Sequence, residues 1–341
     1  MNNPSAFPID LVYLWVDGSD PTWLAKKNAA LEATNEQVHQ SAKSSDRFDD
    51  KEELRFSLRS VETNMPWVNH IYIITDNQVP RWLNIANPRI SVIDHRDIVP
   101  AEFLPTFNSL TVELFSHRIP GLSEHYILAN DDYFAGSPLT PEFFFNESGD
   151  PVVIVREKRY LQNIFSAIGF ENVSQRRKLI GRRILNALRL VFELTGKRYY
   201  MFICHSMEPM RKSYAENIVS QHGDKFIRDT STTFRDRKNI QRIFFPLYNH
   251  AQGRTELVAD WRFYRQRVPL SFDASWPGIL WRDILWTLPF FYHDYVDVKD
   301  NVYNTISRAK PATFCINSSV TFARVTGDME KLFPQKSEFE K

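Results

Sequence analysis

The stretch that most constrains this chain runs from Arg47 to Gln78, RFDDKEELRFSLRSVETNMPWVNHIYIITDNQ. Leu54, Leu58, Val61 and Met65 recur at helical spacing and predict a buried stripe. Asp49 or Asp50 is placed to cap that helix. Glu52 and Glu53 fall in its first turn, where the helix dipole favours acids. Arg55, Arg59 and Glu62 repeat the spacing one residue later as a charged stripe, and Pro66 closes the helix. His70 to Thr75 is then a short β-branched run that stops at Asp76. A strand that delivers an acid at its C-terminal end is where open α/β sheets bind ligands. A salt-bridged helix lying on a sheet strand has the same pattern, so the neighbouring segments decide between the two.

Those neighbours repeat the theme. Ile9 to Val16, IDLVYLWV, predicts a first strand ending in Asp17-Gly18-Ser19-Asp20-Pro21, and Pro21 opens a helix. A polar loop over 34–46 precedes the organising helix. Arg89 to Ile93 predicts a third strand, followed by His95, Arg96 and Asp97. LPTFN over 104–108 is a loop, Ser109 is placed to cap the next helix, and Glu113 and His117 lie one turn apart on a shared face. His125 to Leu128 predicts a fourth strand that runs into Asn130, Asp131 and Asp132. This alternation predicts an α/β fold built on a mainly parallel, doubly wound, Rossmann-like sheet. In such a sheet Asp17, Asp76 and Asp131/Asp132 share one edge. Adjacent acids there suit a divalent cation bridging a diphosphate, because Mg²⁺ takes one or two carboxylates plus phosphate oxygens. Arg47, Arg55 and Arg59 offer forked donors for phosphate.

Composition narrows the function classes. The chain has 341 residues, is 43% hydrophobic and carries a net charge of +1, enough for a large core but with no global attraction to nucleic acid. The N-terminus lacks a basic-then-apolar signal pattern, and no apolar run approaches a membrane span. A reduced cytoplasmic setting follows, with Cys204 and Cys315 as buried thiols. One region departs in texture. Pro151 to Val155 predicts a strand, but 157–200 reads as a basic helical insertion. In it Leu179, Ile184, Leu188 and Val191 alternate with Arg176, Arg177, Lys178, Arg182, Arg183 and Arg189. Residues 176–189 either present a solvated basic face or rest on an anionic surface. Later, Ser213 to Val219 and Asn239 to Tyr248 predict helices, and Thr313 to Asn317 a last strand. Trp261, Trp276, Trp281 and Trp286 suit either core packing or a sugar platform. The tail after Phe333 is expected to fray.

Several of these segments together resemble the Stealth-type phosphotransferases: IDLVYLWVDGSDP (9–21), 47–84, LPTFNS (104–109) and YILANDDYF (126–134). CHSMEPMRKS around His205 and FRDRKNIQ around Arg235 are similar to the family's third region, and FCINSS (314–319) to a shortened fourth. The resemblance implies transfer of a sugar-1-phosphate from a nucleotide-sugar donor to a glycan hydroxyl, with release of a nucleoside monophosphate. It implies one catalytic domain over 1–341. It also implies His205 as general base, Arg235 on the transferred phosphoryl group, and Mg²⁺ (or Mn²⁺) held by Asp131 and Asp132 with Asn317. Asp17, Arg47, Arg59, Asp76, Gln78 and Asn130 are then the donor-side residues. A metal-dependent glycosyltransferase releasing a nucleoside diphosphate would use the same acids. A glycan-binding protein without catalysis is the more distant alternative. The partners expected are nucleotide-sugar, glycan and, through 176–189, the inner membrane face.

Overall fold

The chain is described by a computed structural model over residues 6–34, 50–157, 175–199, 201–203, 206–259, 295–298, 302–316 and 322–341. β1 (Ile9–Leu14), β2 (Ile71–Thr75), β3 (Ile90–Asp94) and β4 (His125–Asn130) are parallel neighbours in the order β3-β2-β1-β4. β8 (Glu208–Arg211) closes the far side antiparallel to β4. Both faces of the sheet are covered, which is why the parallel strands are apolar nearly throughout. Leu11, Tyr13, Ile71, Ile73, Ile127 and Ala129 enter one core. Val12, Tyr72, Ile74, Tyr126 and Leu128 enter the other. The register aligns the strand ends: Leu14 lies opposite both Ile74 and Asn130.

α1 (Pro21–Ala33) starts at Asp20, whose carboxylate accepts from the backbone N–H of Thr22 at 2.8 Å and of Trp23 at 2.9 Å. α2 (Glu53–Asn64) lays Leu54, Leu58 and Val61 on the first core, the stripe that its spacing predicts. Its start differs from expectation. Glu52 takes a left-handed conformation (φ 57°) and no side chain caps the helix; Asp50 accepts from the Glu52 N–H at 3.0 Å instead.

The second core is covered by α3 (Ser109–Phe115), α4 (Gln175–Thr195), α5 (Lys212–Thr230) and α6 (Phe244–Ala251). α3 is capped by Asn108, not Ser109, because the Asn108 side chain reaches the Leu110 N–H. α5 runs well past the predicted Val219, and α6 begins later than the predicted Asn239. α4 keeps part of the expected stripe, since Val191 is buried and Leu188 packs on the core, but the buried face also takes in residues outside it. Arg183, Ala187, Leu190 and Val191 face inward, while Leu185 and Phe192 are exposed.

Two three-stranded sheets flank this body. One joins β5 (Tyr133–Ala135), β10 (Tyr295–Val298) and β11 (Thr313–Ile316), covered by α7 (Val302–Ala309) and α8 (Phe322–Leu332). The other joins β6 (Val152–Glu157), β7 (Met201–Ile203) and β9 (Glu256–Ala259). The C-terminal tail is ordered rather than frayed. Phe339 is 1% exposed, and Leu83 and Glu340 form a β-bridge. Among the described residues no helix is long and apolar enough to cross a membrane. Cys315 is buried. Cys204, the loop over 35–46 and the four tryptophans between 261 and 286 lie outside the described residues.

Candidate active site at the carboxyl edge of the sheet

Because the strand ends are flush, the acids that follow them meet at one edge, as the alternation predicts. The loops after β1 and β2 are tied by one side chain. Gln78 Oε1 accepts from the Asp17 N–H at 3.0 Å, and Gln78 Nε2 donates to the Asp17 carbonyl at 2.8 Å. Asp17 Oδ1 in turn accepts from the N–H and hydroxyl of Ser19 at 2.8 and 2.6 Å. Gln78 therefore shapes the loop with its whole amide group. Asp76 forms an ion pair with Lys26 of α1.

Asp131 and Asp132 leave β4 together and bridge to the first flanking sheet. Asp132 Oδ2 accepts from the Cys315 thiol at 3.3 Å, and its carbonyl accepts from Ile316 N–H at 3.2 Å. Burial pushes Asp131 well above the usual carboxylate range, and the charges of Asp132, Glu53 and Asp50 push it further. Asp50 is pushed up to about 6 and Glu53 to about 7, chiefly by burial. Acids crowded to this degree fit a divalent cation, which would relieve the repulsion while taking its remaining ligands from phosphate. Among the described residues no three Asp, Glu, His or Cys side chains form a metal site by themselves. Asp131 and Asp132 are a pair, and Asn317, next after the described Ile316, lies outside.

A second polar group adjoins the first through Tyr133. Arg242 Nη2 donates to Tyr133 Oη at 3.3 Å, its Nε lies 2.8 Å from Glu208 Oε2, and its Nη1 lies 3.9 Å from Glu113 Oε2. Glu113 Oε1 accepts from the Ser109 hydroxyl at 3.0 Å, and that hydroxyl accepts from Arg235 Nη2 at 2.5 Å. Burial works against the Arg242 charge, but Tyr133, Glu208 and Glu113 hold its pKa above the ordinary value. The segment carrying Arg235 is fastened to the LPTFNS loop. Asn108 Nδ2 donates to the Thr230 carbonyl, Thr232 Oγ1 and Asn239 Oδ1 at 3.1 to 3.2 Å. Phe107 N–H donates to the Thr233 carbonyl at 2.7 Å, and Phe107 stacks on Phe234. Two motifs more than a hundred residues apart thus form one unit.

The structure corrects some assignments. Arg59 is 5% exposed, with its Nε and Nη2 on Glu340 at 2.7 and 2.8 Å and its Nη1 on the Phe333 carbonyl at 3.0 Å. Arg55 is drawn to the same carboxylate at 2.6 Å. Their stripe is covered by the C-terminal tail, and all three guanidinium nitrogens of the buried Arg59 are engaged there, so Arg59 is a structural anchor rather than a phosphate-facing residue. Glu113 and His117 do not work as a pair: the helix tightens after Phe115, and His117 Nδ1 contacts the Leu114 carbonyl. Asp17, Asp76, Gln78, Asn130, Asp131 and Asp132 lie along the carboxyl edge, and Arg235 is tied to it through Ser109, Glu113, Arg242 and Tyr133. Arg47 and His205 lie outside the described residues. Sequence reasoning passed over Asp50 and Glu53 as capping acids, and Tyr133, Glu208 and Arg242 altogether. The one available signal was Glu208, an acid inside a short edge strand.

Residues 7–34 match Stealth protein CR1, conserved region 1, and residues 47–153 match Stealth protein CR2, conserved region 2. The capsular polysaccharide phosphotransferase fcs1 of Haemophilus influenzae is 33% identical over 289 residues, which cover 82% of this chain and 75% of that protein. The chain belongs to the Stealth family. The exopolysaccharide phosphotransferase cps2G of Lactiplantibacillus plantarum is 31% identical over 98% of this chain and 97% of its own length. The capsular polysaccharide phosphotransferase cps1A of Actinobacillus pleuropneumoniae is 46% identical over 75% of this chain and 69% of its own length. This Stealth protein is accordingly an enzyme, a phosphotransferase of the capsular and exopolysaccharide kind. That sets aside the alternative of a glycan-binding protein without catalysis.

Proposed function

We propose that the enzyme transfers a hexose- or N-acetylhexosamine-1-phosphate from a nucleotide-sugar to a glycan hydroxyl, building a phosphodiester-linked surface polysaccharide. The acceptor oxygen attacks the sugar-bearing β-phosphorus. The bond from that phosphorus to the bridging oxygen breaks, and the oxygen leaves on the nucleoside monophosphate. The sugar C1–O bond stays intact. The observation that supports this best is the joining of two unlike groups: the Asp131–Asp132 carboxylates and, through Tyr133, Arg242, Glu113 and Ser109, the Arg235 guanidinium.

Phosphoryl transfer is mostly positioning and charge stabilisation, which such a pairing provides. Asp131 and Asp132, with Asn317, would hold Mg²⁺ or Mn²⁺, which would supply charge neutralisation for the diphosphate. Arg235 grips the phosphoryl oxygens as charge develops on them. His205 takes the acceptor proton, a role suited to an imidazole near neutral pH. Asp17 and Asn130 line the donor side, Arg47 contributes there, and Gln78 and Asp76 hold the loops that shape it. Residues 1–341 work as one catalytic domain with 157–200 inserted, at the cytoplasmic membrane face.

A panel of nucleotide-sugars, with the released nucleotide identified by chromatography, tests this. Release of nucleoside monophosphate supports it. Release of nucleoside diphosphate leaves the glycosyltransferase standing.

A further inference from the structure

Arg183 sits on the inward face of α4, where Ala187, Leu190 and Val191 are its neighbours along the helix. It is 3% exposed, and its Nε has no hydrogen-bond partner. A guanidinium in an apolar row with an unused buried donor is costly unless an anion joins it. Its position is firmly set. Asn186 Nδ2, from the same helix, donates to the carbonyls of Arg237, Lys238 and Asn239 at 2.9 to 3.2 Å. Gln241 N–H donates to the Arg183 carbonyl at 3.3 Å. These bonds hold Arg183 against the segment that carries Arg235.

The surrounding charges do not balance it among the described residues. Burial pushes Arg183 down to about 10, Arg235 pushes in the same direction, and Glu113 opposes them. Glu113 also serves Arg242 and the Ser109 hydroxyl, and Glu208 is taken by Arg242 at 2.8 Å. Arg183 therefore lies close enough to Arg235 to feel its charge, and the carboxylate that opposes this at Arg183, Glu113, is shared with Arg242 and Ser109. A diphosphate supplies several oxygens in the planar spacing that arginine forks match.

We propose that Arg183 and Arg235 together form a cradle for the phosphoryl oxygens of a diphosphate, Arg183 being a binding residue supplied by the basic helix. The class of ligand rests on the transferase proposed above. The helix then has a role inside the site, distinct from any contact its outer face makes.

The test uses inorganic pyrophosphate and the full chain, in EDTA so that no metal contributes through Asp131 and Asp132. Calorimetry and thermal melts compare wild type with Arg183→Met and Arg183→Lys, with inorganic phosphate as a second probe. Wild type should bind pyrophosphate more tightly than phosphate and melt higher as pyrophosphate is added. Arg183→Met should melt at or above wild type without ligand and bind at least tenfold more weakly. Arg183→Lys should fold and fall between them, because a point charge replaces a fork. Three results would overturn the cradle: no binding by wild type, wild-type binding by Arg183→Met, or an Arg183→Met melt far below wild type without ligand, which would make Arg183 a structural ion. The released nucleotide is scored separately. Diphosphate release with pyrophosphate binding lost in Arg183→Met would keep the cradle and discard the phosphoryl-transfer chemistry.

Discussion

Arg59 grips both oxygens of Glu340, a residue 281 positions further along the chain, at 2.7 and 2.8 Å. Both side chains are almost fully buried, at 5% and 2% exposure, and Arg55 joins the same carboxylate. The pair locks α2 against the C-terminal tail. Since α2 begins at Glu53, beside the Asp131 cluster, the lock also sets where that acid stands.

Removing one partner of a buried ion pair costs about 3–5 kcal/mol, so Glu340→Gln should lose stability on that scale in urea denaturation. The pair also sets a pH signature. Burial opposes the Glu340 charge, but Arg59 and Arg55 hold its carboxyl down at about 2, below the ordinary 4.5. A folded-state pKa below the unfolded one gives stability that is full above about 4.5 and lost as pH falls toward 2. Wild type should show that acid loss, and Glu340→Gln should show a shallower one. Equal slopes in the two proteins would rule the pair out as its source.

Gln78 bonds the Asp17 backbone with both ends of its amide. Gln78→Ala should cost about 1–3 kcal/mol, two ordinary hydrogen bonds, and raise KM for the donor more than it lowers kcat. Steady-state kinetics and denaturation on the same preparation check this. An unchanged KM would confine Gln78 to stability.

Asp131 stands among Asp132, Glu53 and Asp50. Like charges in a buried cluster destabilise the metal-free fold, so Asp131→Asn should melt above wild type in chelator while losing most transferase activity. Asp132→Asn should likewise lose most activity while remaining folded. A lower melting temperature for Asp131→Asn would show that its charge is compensated.

The parallel sheet and its acidic edge were legible because strand alternation and strand-end acids are local patterns. Leu14, Thr75 and Asn130 each end a strand within two residues of the predicted limit. The placements of Arg59 and Arg183 were not legible. Arg59 has the spacing of a phosphate-facing stripe, but its partner Glu340 lies at the other end of the chain. Arg183 sits in a run of basic residues that reads as one solvated face, and only the packing of α4 turns it inward. The Arg242 group was hidden for the same reason: Glu113, Tyr133, Glu208 and Arg242 come from four separate elements or turns.

The outer face of α4 carries exposed Arg182, Leu185, Arg189 and Phe192. The chain should therefore sediment with anionic vesicles at low salt and release as salt rises. Sedimentation with neutral and anionic vesicles across a salt series measures this. A chain that stays in the supernatant with anionic vesicles at low salt would leave α4 with no membrane role.

The central claim is which bond breaks. A nucleotide-sugar donor labelled with heavy oxygen between the sugar C1 and the β-phosphorus separates the two chemistries, read by mass spectrometry and phosphorus NMR of the glycan product. Phosphoryl transfer predicts a phosphodiester product that keeps the label and the donor's anomeric configuration, with unlabelled nucleoside monophosphate released. Label found in a released nucleoside diphosphate, with no phosphorus in the glycan, would contradict it.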